Sequence, residues 1–131
     1  SPKSFIMTEN QISRVIVNSC YTIHKTLGPG LLESIYEQIL FKELSDRGLF
    51  VEKQKSIPVY WKNEKLDYGF RADLIIDKKV IIEIKSIESL APVHFKQVLT
   101  YLKITGIKLG ILVNFNEDYL KNGIRRVVNN L

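Results

Sequence analysis

Two short apolar runs on either side of a helical pattern constrain this chain more than any other feature. They are Val80-Ile81-Ile82-Glu83-Ile84-Lys85 and residues 108–114, which contain Leu109, Ile111, Leu112 and Val113. Both are too short for a stable helix and rich in β-branched residues, so they read as strands, the first central in a sheet. Residues 91–105 between them carry Val93, Phe95, Val98, Leu99 and Leu102 before Gly106, the pattern of a helix. A helical crossover of that length lays the second strand parallel to the first. With 131 residues there is room for one such core and not two.

The flanking segments complete a mixed α/β domain. Ile12, Val15, Ile16, Ser19, Cys20 and Ile23 recur at steps of three and four, which predicts an amphipathic helix over 8–27 with Thr8 as N-cap. Gly28-Pro29-Gly30 breaks it. A second helical pattern runs through Leu32, Ile35, Tyr36, Ile39, Leu40 and Leu44 to Arg47-Gly48, making a helical hairpin. Residues 50–61 and 66–76 predict two antiparallel strands joined by Lys62-Asn63-Glu64-Lys65, and Asp77-Lys78-Lys79 turns the second into Val80. The tail from Glu117 is open: 124–131 fits a strand or a helix.

Composition excludes several classes. Hydrophobic residues are 45% and charged residues 25%, so the chain is globular rather than disordered. No apolar run approaches the roughly 18–20 residues of a membrane span, so no membrane partner is expected. The single cysteine, Cys20, rules out an internal disulfide and a multi-cysteine zinc site, and no secretory signal is recognisable. A cytoplasmic setting is the expectation. A net charge of +5 favours polyanionic partners only mildly. Met7 followed by Thr8-Glu9-Asn10 looks like a natural start, with residues 1–6 an appended remnant outside a single domain of residues 7–131.

Charge appears where a core strand should have none. Glu83 and Lys85 lie two apart and share one face of their strand, while Ile82 and Ile84 take the other. Asp73 sits among the apolar residues of the preceding strand. Pairing through the turn at 77–79 brings Asp73 and Glu83 to the same end of a hairpin. Two such carboxylates repel unless protonated or bridged by a cation, and their oxygens suit Mg²⁺ or Mn²⁺. A lysine nearby supplies the positive charge that phosphoryl transfer uses. On these three residues alone, a metal site and a merely solvated sheet face explain the charges equally well.

Further elements carry a resemblance. Gly30-Leu31-Leu32-Glu33-Ser34-Ile35-Tyr36 is a complete G-x-x-E-x-x-Y heptad opening the second helix. Arg71-Ala72-Asp73 ends one strand, Glu83-Ile84-Lys85 is an E-x-K element in the next, and Gln97-Val98-Leu99-Thr100-Tyr101 is a Q-x-x-x-Y helix element. In this order, over about residues 24–115, they resemble the GxxExxY proteins of the PD-(D/E)XK nuclease superfamily. Ala72 stands where the superfamily's name has proline.

The resemblance implies a restriction-endonuclease-like α/β fold: a mixed sheet core flanked by helices and preceded by the helical hairpin. It implies a metal-dependent nuclease in which Asp73, Glu83, the Ile84 carbonyl and Glu33 hold Mg²⁺ or Mn²⁺. Lys85 would position the attacking water, and Gln97, Tyr101 and Arg71 would meet the substrate. Gln97 and Tyr101 share a helix face. Arg71 is open between phosphate contact and charge balance. The partner is nucleic acid, DNA ahead of RNA, with a homodimer conceivable for a domain that must cut two strands. A catalytically silent nucleic-acid-binding module on the same fold is the alternative. Tyr36 reads as a packing residue and Gly28-Pro29-Gly30 as a turn, not a phosphate cradle. His24 and His94 read as ordinary polar residues, and Lys121 with Arg125-Arg126 as solvated surface.

Overall fold

The fold is that of a computed structural model describing residues 6–131. Of the expected remnant only Ile6 falls among them; residues 1–5 lie outside. Helix α1, Glu9–Leu27, starts at a reciprocal cap: Thr8 Oγ1 accepts from the Gln11 amide at 3.2 Å, and Gln11 Oε1 accepts from the Thr8 amide at 2.9 Å. Gly28 ends it with φ 70°. Helix α2, Glu33–Asp46, follows after one tight connection. Tyr36 fixes that connection. Its hydroxyl donates to the Gly28 carbonyl at 2.6 Å and accepts from the Leu31 amide at 3.3 Å, while its ring stacks on Phe115 at 4.5 Å. Both the polar and the apolar end of a buried tyrosine are thus satisfied.

The sheet comprises β1 Val51–Ile57, β4 Phe70–Ile76, β5 Val80–Lys85, β6 Leu109–Asn114 and β7 Ile124–Val128, in the order β1-β4-β5-β6-β7. Strands β2 Tyr60–Trp61 and β3 Glu64–Lys65 form a separate two-stranded ribbon between β1 and β4. Helix α3, Pro92–Thr105, is the crossover, and β5 and β6 are the parallel pair; the other neighbours in the sheet are antiparallel. This is the expected mixed sheet, flanked by helices and preceded by a helical hairpin.

Alternation along the strands sends side chains to two cores. Leu74, Val80, Ile82 and Ile111 pack against Ile12, Ile16, Tyr36 and Leu40 on the α1–α2 side. Ile81 and Leu112 pack against Val98 and Leu102 of α3 on the other. Each fully buried aliphatic side chain contributes about 1.5–3 kcal/mol. Gly110 lets α3 approach β6, since a Cβ there would lie 2.5 Å from Val98 Cγ1. Among the described residues, no helix is long and apolar enough to cross a membrane.

Two sequence expectations are corrected, and one open segment is resolved. Glu64 and Lys65 are strand residues, and the turn is only Lys62-Asn63, both left-handed with φ 50° and 67°. A two-residue hairpin turn needs that conformation; Asn63 signals it, Lys62 does not. The open tail resolves as β7, with Ile124 and Val127 reaching opposite cores. Leu32, Ile35 and Val93, expected to supply apolar contacts, are 70%, 42% and 63% exposed. Helix α2 buries instead the narrower line Tyr36, Leu40 and Leu44.

Candidate metal and nuclease site

Asp73 marks a break in an otherwise regular sheet. Ala72 packs into the α3-side core but Leu74 into the opposite one, so the alternation slips by one residue at Asp73. Regular pairing of β4 with β5 ends at Leu74↔Ile82. Beyond it, side chains take over from the backbone ladder: Asp73 Oδ2 accepts from the Ile84 amide at 2.8 Å, and Glu83 Oε1 accepts from the Asp73 amide at 3.4 Å. The two carboxylates are thereby held beside each other where the strands part, at the C-terminal end of β5.

The neighbouring strand is distorted at the same level. β1 pairs Lys53↔Leu74 and Lys55↔Ala72, which leaves Gln54 facing Asp73, and Gln54 has φ 53°. That left-handed conformation is uncommon for a residue with a side chain. It turns Gln54 inward. Its Nε2 donates to Glu37 Oε1 at 2.5 Å and to Asp73 Oδ1 at 3.4 Å. Both oxygens of Asp73 are therefore engaged, one by β5 and one by β1.

A cavity of about 230 Å³ opens here, lined by Glu33, Ser34, Glu37, Gln54, Asp73 and Ile84. Glu33, at the first position of α2, uses Oε2 to accept from the Ser86 amide at 3.1 Å, and Ser86 Oγ donates to the Leu31 carbonyl at 2.6 Å. The start of α2 is so tied to the segment leaving Lys85. From the other side, buried Asn114 accepts from the Ile87 amide at 3.1 Å and donates to its carbonyl at 2.9 Å.

The electrostatics are those of crowded acids. Glu83, 5% exposed, is pushed up to about 8, first by burial and then by the Asp73 carboxylate. Lys85, half-buried at the end of β5, opposes that rise and makes no ion pair among the described residues. Glu37 is also raised, by burial above all, with the Gln54 hydrogen bond opposing and Asp73 adding to it. Tyr101 of α3 is raised by burial and then by Glu83 and Asp73, against a hydrogen bond with Gln97. Its ring stacks on Phe70 at 3.8 Å. Helix α3 thus reaches the acids from the opposite face to α2.

The expected residues stand as follows. Asp73, Glu83 and Ile84 meet directly. Glu33 lines the same cavity, Tyr101 with Gln97 lies within the field of the pair, and exposed Arg71 lines an adjoining groove. Among the described residues, no three His, Cys, Asp or Glu side chains gather into a ready-made cage. The core of the site is a carboxylate pair with oxygen donors around it. Such a set fits a hard divalent ion, whose charge would replace the proton that keeps Glu83 neutral.

Glu37 and Gln54 escaped the sequence reading. Glu37 carries a usable signal, four residues after Glu33 and so on the same helix face. Gln54 carries none, since its role depends on a local distortion. His24 Nε2 meets the Glu117 carbonyl at 2.7 Å, and His94 Nδ1 accepts from the Ala91 amide at 2.9 Å. Arg125 donates to the carbonyls of Lys121 and Ile124, and Arg126 to Asn10 Oδ1.

Comparison with known proteins bears on the family and the fold. The structure is similar to the crystal structure of SSO0001, with 22% identity, a TM-score of 0.50, and 98% of this chain and 72% of that chain covered. At that identity the likeness speaks for the fold alone. No curated protein matches the chain. The family model that describes the PD-(D/E)XK nuclease superfamily matches residues 10–127, nearly the whole chain. With its mixed sheet, its flanking helices and the carboxylate pair at the parting of two strands, this chain belongs to the PD-(D/E)XK nuclease superfamily and has the restriction-endonuclease-like fold.

Proposed function

We propose that the protein hydrolyses phosphodiester bonds of nucleic acid with a divalent metal ion, Mg²⁺ or Mn²⁺. The observation that carries this reading is the mutual bracing of Asp73 and Glu83, where buried Glu83 accepts from the Asp73 amide and Asp73 from the Ile84 amide. A fold has no structural need to place two acids together in its core. Asp73, Glu83 and the Ile84 carbonyl would hold the ion, with Glu33 contributing directly or through water. When bound, the ion supplies Lewis-acid stabilisation of charge developing on the phosphate.

The chain's own residues supply the rest. Lys85, on the same face as Glu83, orients the attacking water and offers its ammonium to the developing charge. Gln54 keeps the Asp73 carboxylate turned toward the cavity. Glu37 adds acidity to the cavity wall. Gln97 and Tyr101 present an amide and a phenol from α3 to the substrate, and Arg71 meets a phosphate along the strand. DNA is the preferred polymer in this reading, and RNA the second.

The test is cleavage of plasmid, single-stranded DNA and structured RNA with Mg²⁺ or Mn²⁺, by wild type and by Asp73→Ala and Glu83→Ala. Cutting that EDTA abolishes and both variants lose is the expected result. Nucleic-acid binding without cutting on every substrate would favour a silent binding module instead.

A further inference from the structure

Between β1 and β4 the chain builds an element that the acid pair does not use. The ribbon β2–β3 stands apart from the main sheet, and among the described residues no other strand pairs with it. It carries Tyr60 and Trp61 on β2, with Tyr68 just beyond β3, and these are 58%, 67% and 86% exposed. An isolated two-stranded ribbon is only marginally stable in water, and large aromatic rings left in solvent usually mark a binding surface. The root of the ribbon is well fixed. Gly69 passes so close that a Cβ on it would sit 2.2 Å from the Ile57 carbonyl oxygen, and the Leu66 amide donates to the Val59 carbonyl at 2.9 Å.

The foot of the ribbon shares a groove with the strand that carries Asp73. Arg71 lies two residues along β4 from Asp73 and pairs with Ser56 of β1. Both line a groove of about 410 Å³ whose far wall includes Lys65 and Leu66 of the ribbon, and whose near wall includes Phe70, the residue stacked on Tyr101. The groove thus joins Arg71, two residues from Asp73, to the foot of the ribbon at Lys65 and Leu66.

The charge on the ribbon and at its foot selects the occupant. On the ribbon itself Lys62 and Lys65 are matched by Glu64 and Asp67, so it offers no cationic track for the phosphates of a duplex. The cation at its root is Arg71. Tyr60 and Trp61, neighbours on β2, take opposite faces of the ribbon, so each offers its own stacking face beyond the Arg71 anchor, which suits a strand whose bases are unpaired. Stacking needs a free π-face, which duplex bases do not offer. We infer that the β2–β3 ribbon is a stacking arm that holds unpaired nucleotides, so that the substrate is a single strand or a duplex with a single-stranded end. This rests on the nuclease reading of the site and adds to it the strandedness of the substrate.

Trp61 is the chain's sole tryptophan, so its fluorescence reports on the ribbon alone. The experiment titrates a short oligothymidylate, an oligouridylate and a blunt duplex into the full chain in EDTA, where no cutting occurs. Fluorescence quenching by either single strand, with the duplex bound more weakly, is expected; the two oligomers separate DNA from RNA. Trp61→Ala and Tyr68→Ala, followed by fluorescence anisotropy of the labelled oligomer, are expected to weaken single-strand binding by about 5- to 150-fold each, as loss of one stacked base does. Trp61→Phe should keep most of the affinity, which separates loss of stacking from loss of the ribbon's fold. Unchanged single-strand affinity in Trp61→Ala, or no quenching of the wild type by either single strand, would overturn the inference. Concentration-dependent self-association that Trp61→Ala abolishes would also overturn it, by making the ribbon an interface between copies. Failure of the nuclease reading shows up separately, as quenching and binding intact but no metal-dependent cutting of the bound strand.

Discussion

Replacing Glu83 by Gln is expected to stabilise the metal-free protein, and to do so increasingly as pH rises. Burial and Asp73 move Glu83 from an ordinary value of 4.5 to about 8, so the folded chain favours the protonated form. Between those two values the folded state binds more protons than the unfolded state, and stability therefore falls with rising pH across that window. It is fully present below the unfolded value and lost above the folded one. A tenfold change in proton affinity between the two states is worth about 1.4 kcal/mol, so the loss by pH 9 is on the order of 4 kcal/mol, a large share of the roughly 5–15 kcal/mol of a typical domain. Gln removes the charge but keeps an oxygen for the Asp73 amide, which now lies 3.4 Å from Glu83 Oε1. Its amide group can also donate to Asp73. The assay is urea unfolding in EDTA, wild type against Glu83→Gln, at intervals from about pH 5 to 9. The other titrating groups are common to the two proteins, so their difference reports Glu83 together with its coupling to Asp73. The two should nearly coincide at the acid end and diverge with pH, the variant becoming the more stable by several kcal/mol. Parallel curves, or a variant less stable throughout, would show that burial and Asp73 do not hold Glu83 protonated in the folded chain.

Other outcomes follow from the same geometry. Gln54→Ala frees Asp73 Oδ1 and leaves Glu37 without its donor; metal affinity measured by calorimetry should fall about tenfold, as for other supports of a metal ligand, and unchanged affinity would remove Gln54 from the site. Tyr36→Phe deletes the hydroxyl that links Gly28 and Leu31 and should cost about 1–2 kcal/mol in urea unfolding, with the Phe115 stack retained. Gly110→Ala pushes a methyl into Val98 and should cost about 1–3 kcal/mol, whereas no loss would mean that α3 can shift freely on β6.

Much of the fold was legible because its signals are local. The β-branched runs of β5 and β6 and the helix between them pointed to a parallel pair, and Gly28 and Gly48 bounded the helical hairpin. The acid pair was legible for the same reason, since charges inside Val80–Lys85 have no place in an ordinary core strand. What could not be read depends on tertiary geometry. Gln54 is one polar residue among Glu52, Lys53 and Lys55, and only the slip opposite Asp73 gives it meaning. Glu37 could have been found from its spacing to Glu33, but nothing in the sequence shows that β1 brings a glutamine to it. The ribbon was hidden inside two strands read as continuous, because the left-handed Lys62 gives no residue-type signal. The tail stayed open because Ile124 and Val127 fit either period until β6 offers them a partner.

In the proposed reaction Lys85 serves chemistry while Asp73 and Glu83 hold the metal. Lys85→Ala and wild type should be compared side by side, with Mn²⁺ affinity by calorimetry and cleavage of a single-stranded oligomer. The variant is expected to bind Mn²⁺ about as well as wild type, since Lys85 is not among the proposed ligands, and to lose cutting by about two orders of magnitude or more, as removal of one preorganised charge-stabilising donor does. A variant that cuts at the wild-type rate would contradict this role of Lys85.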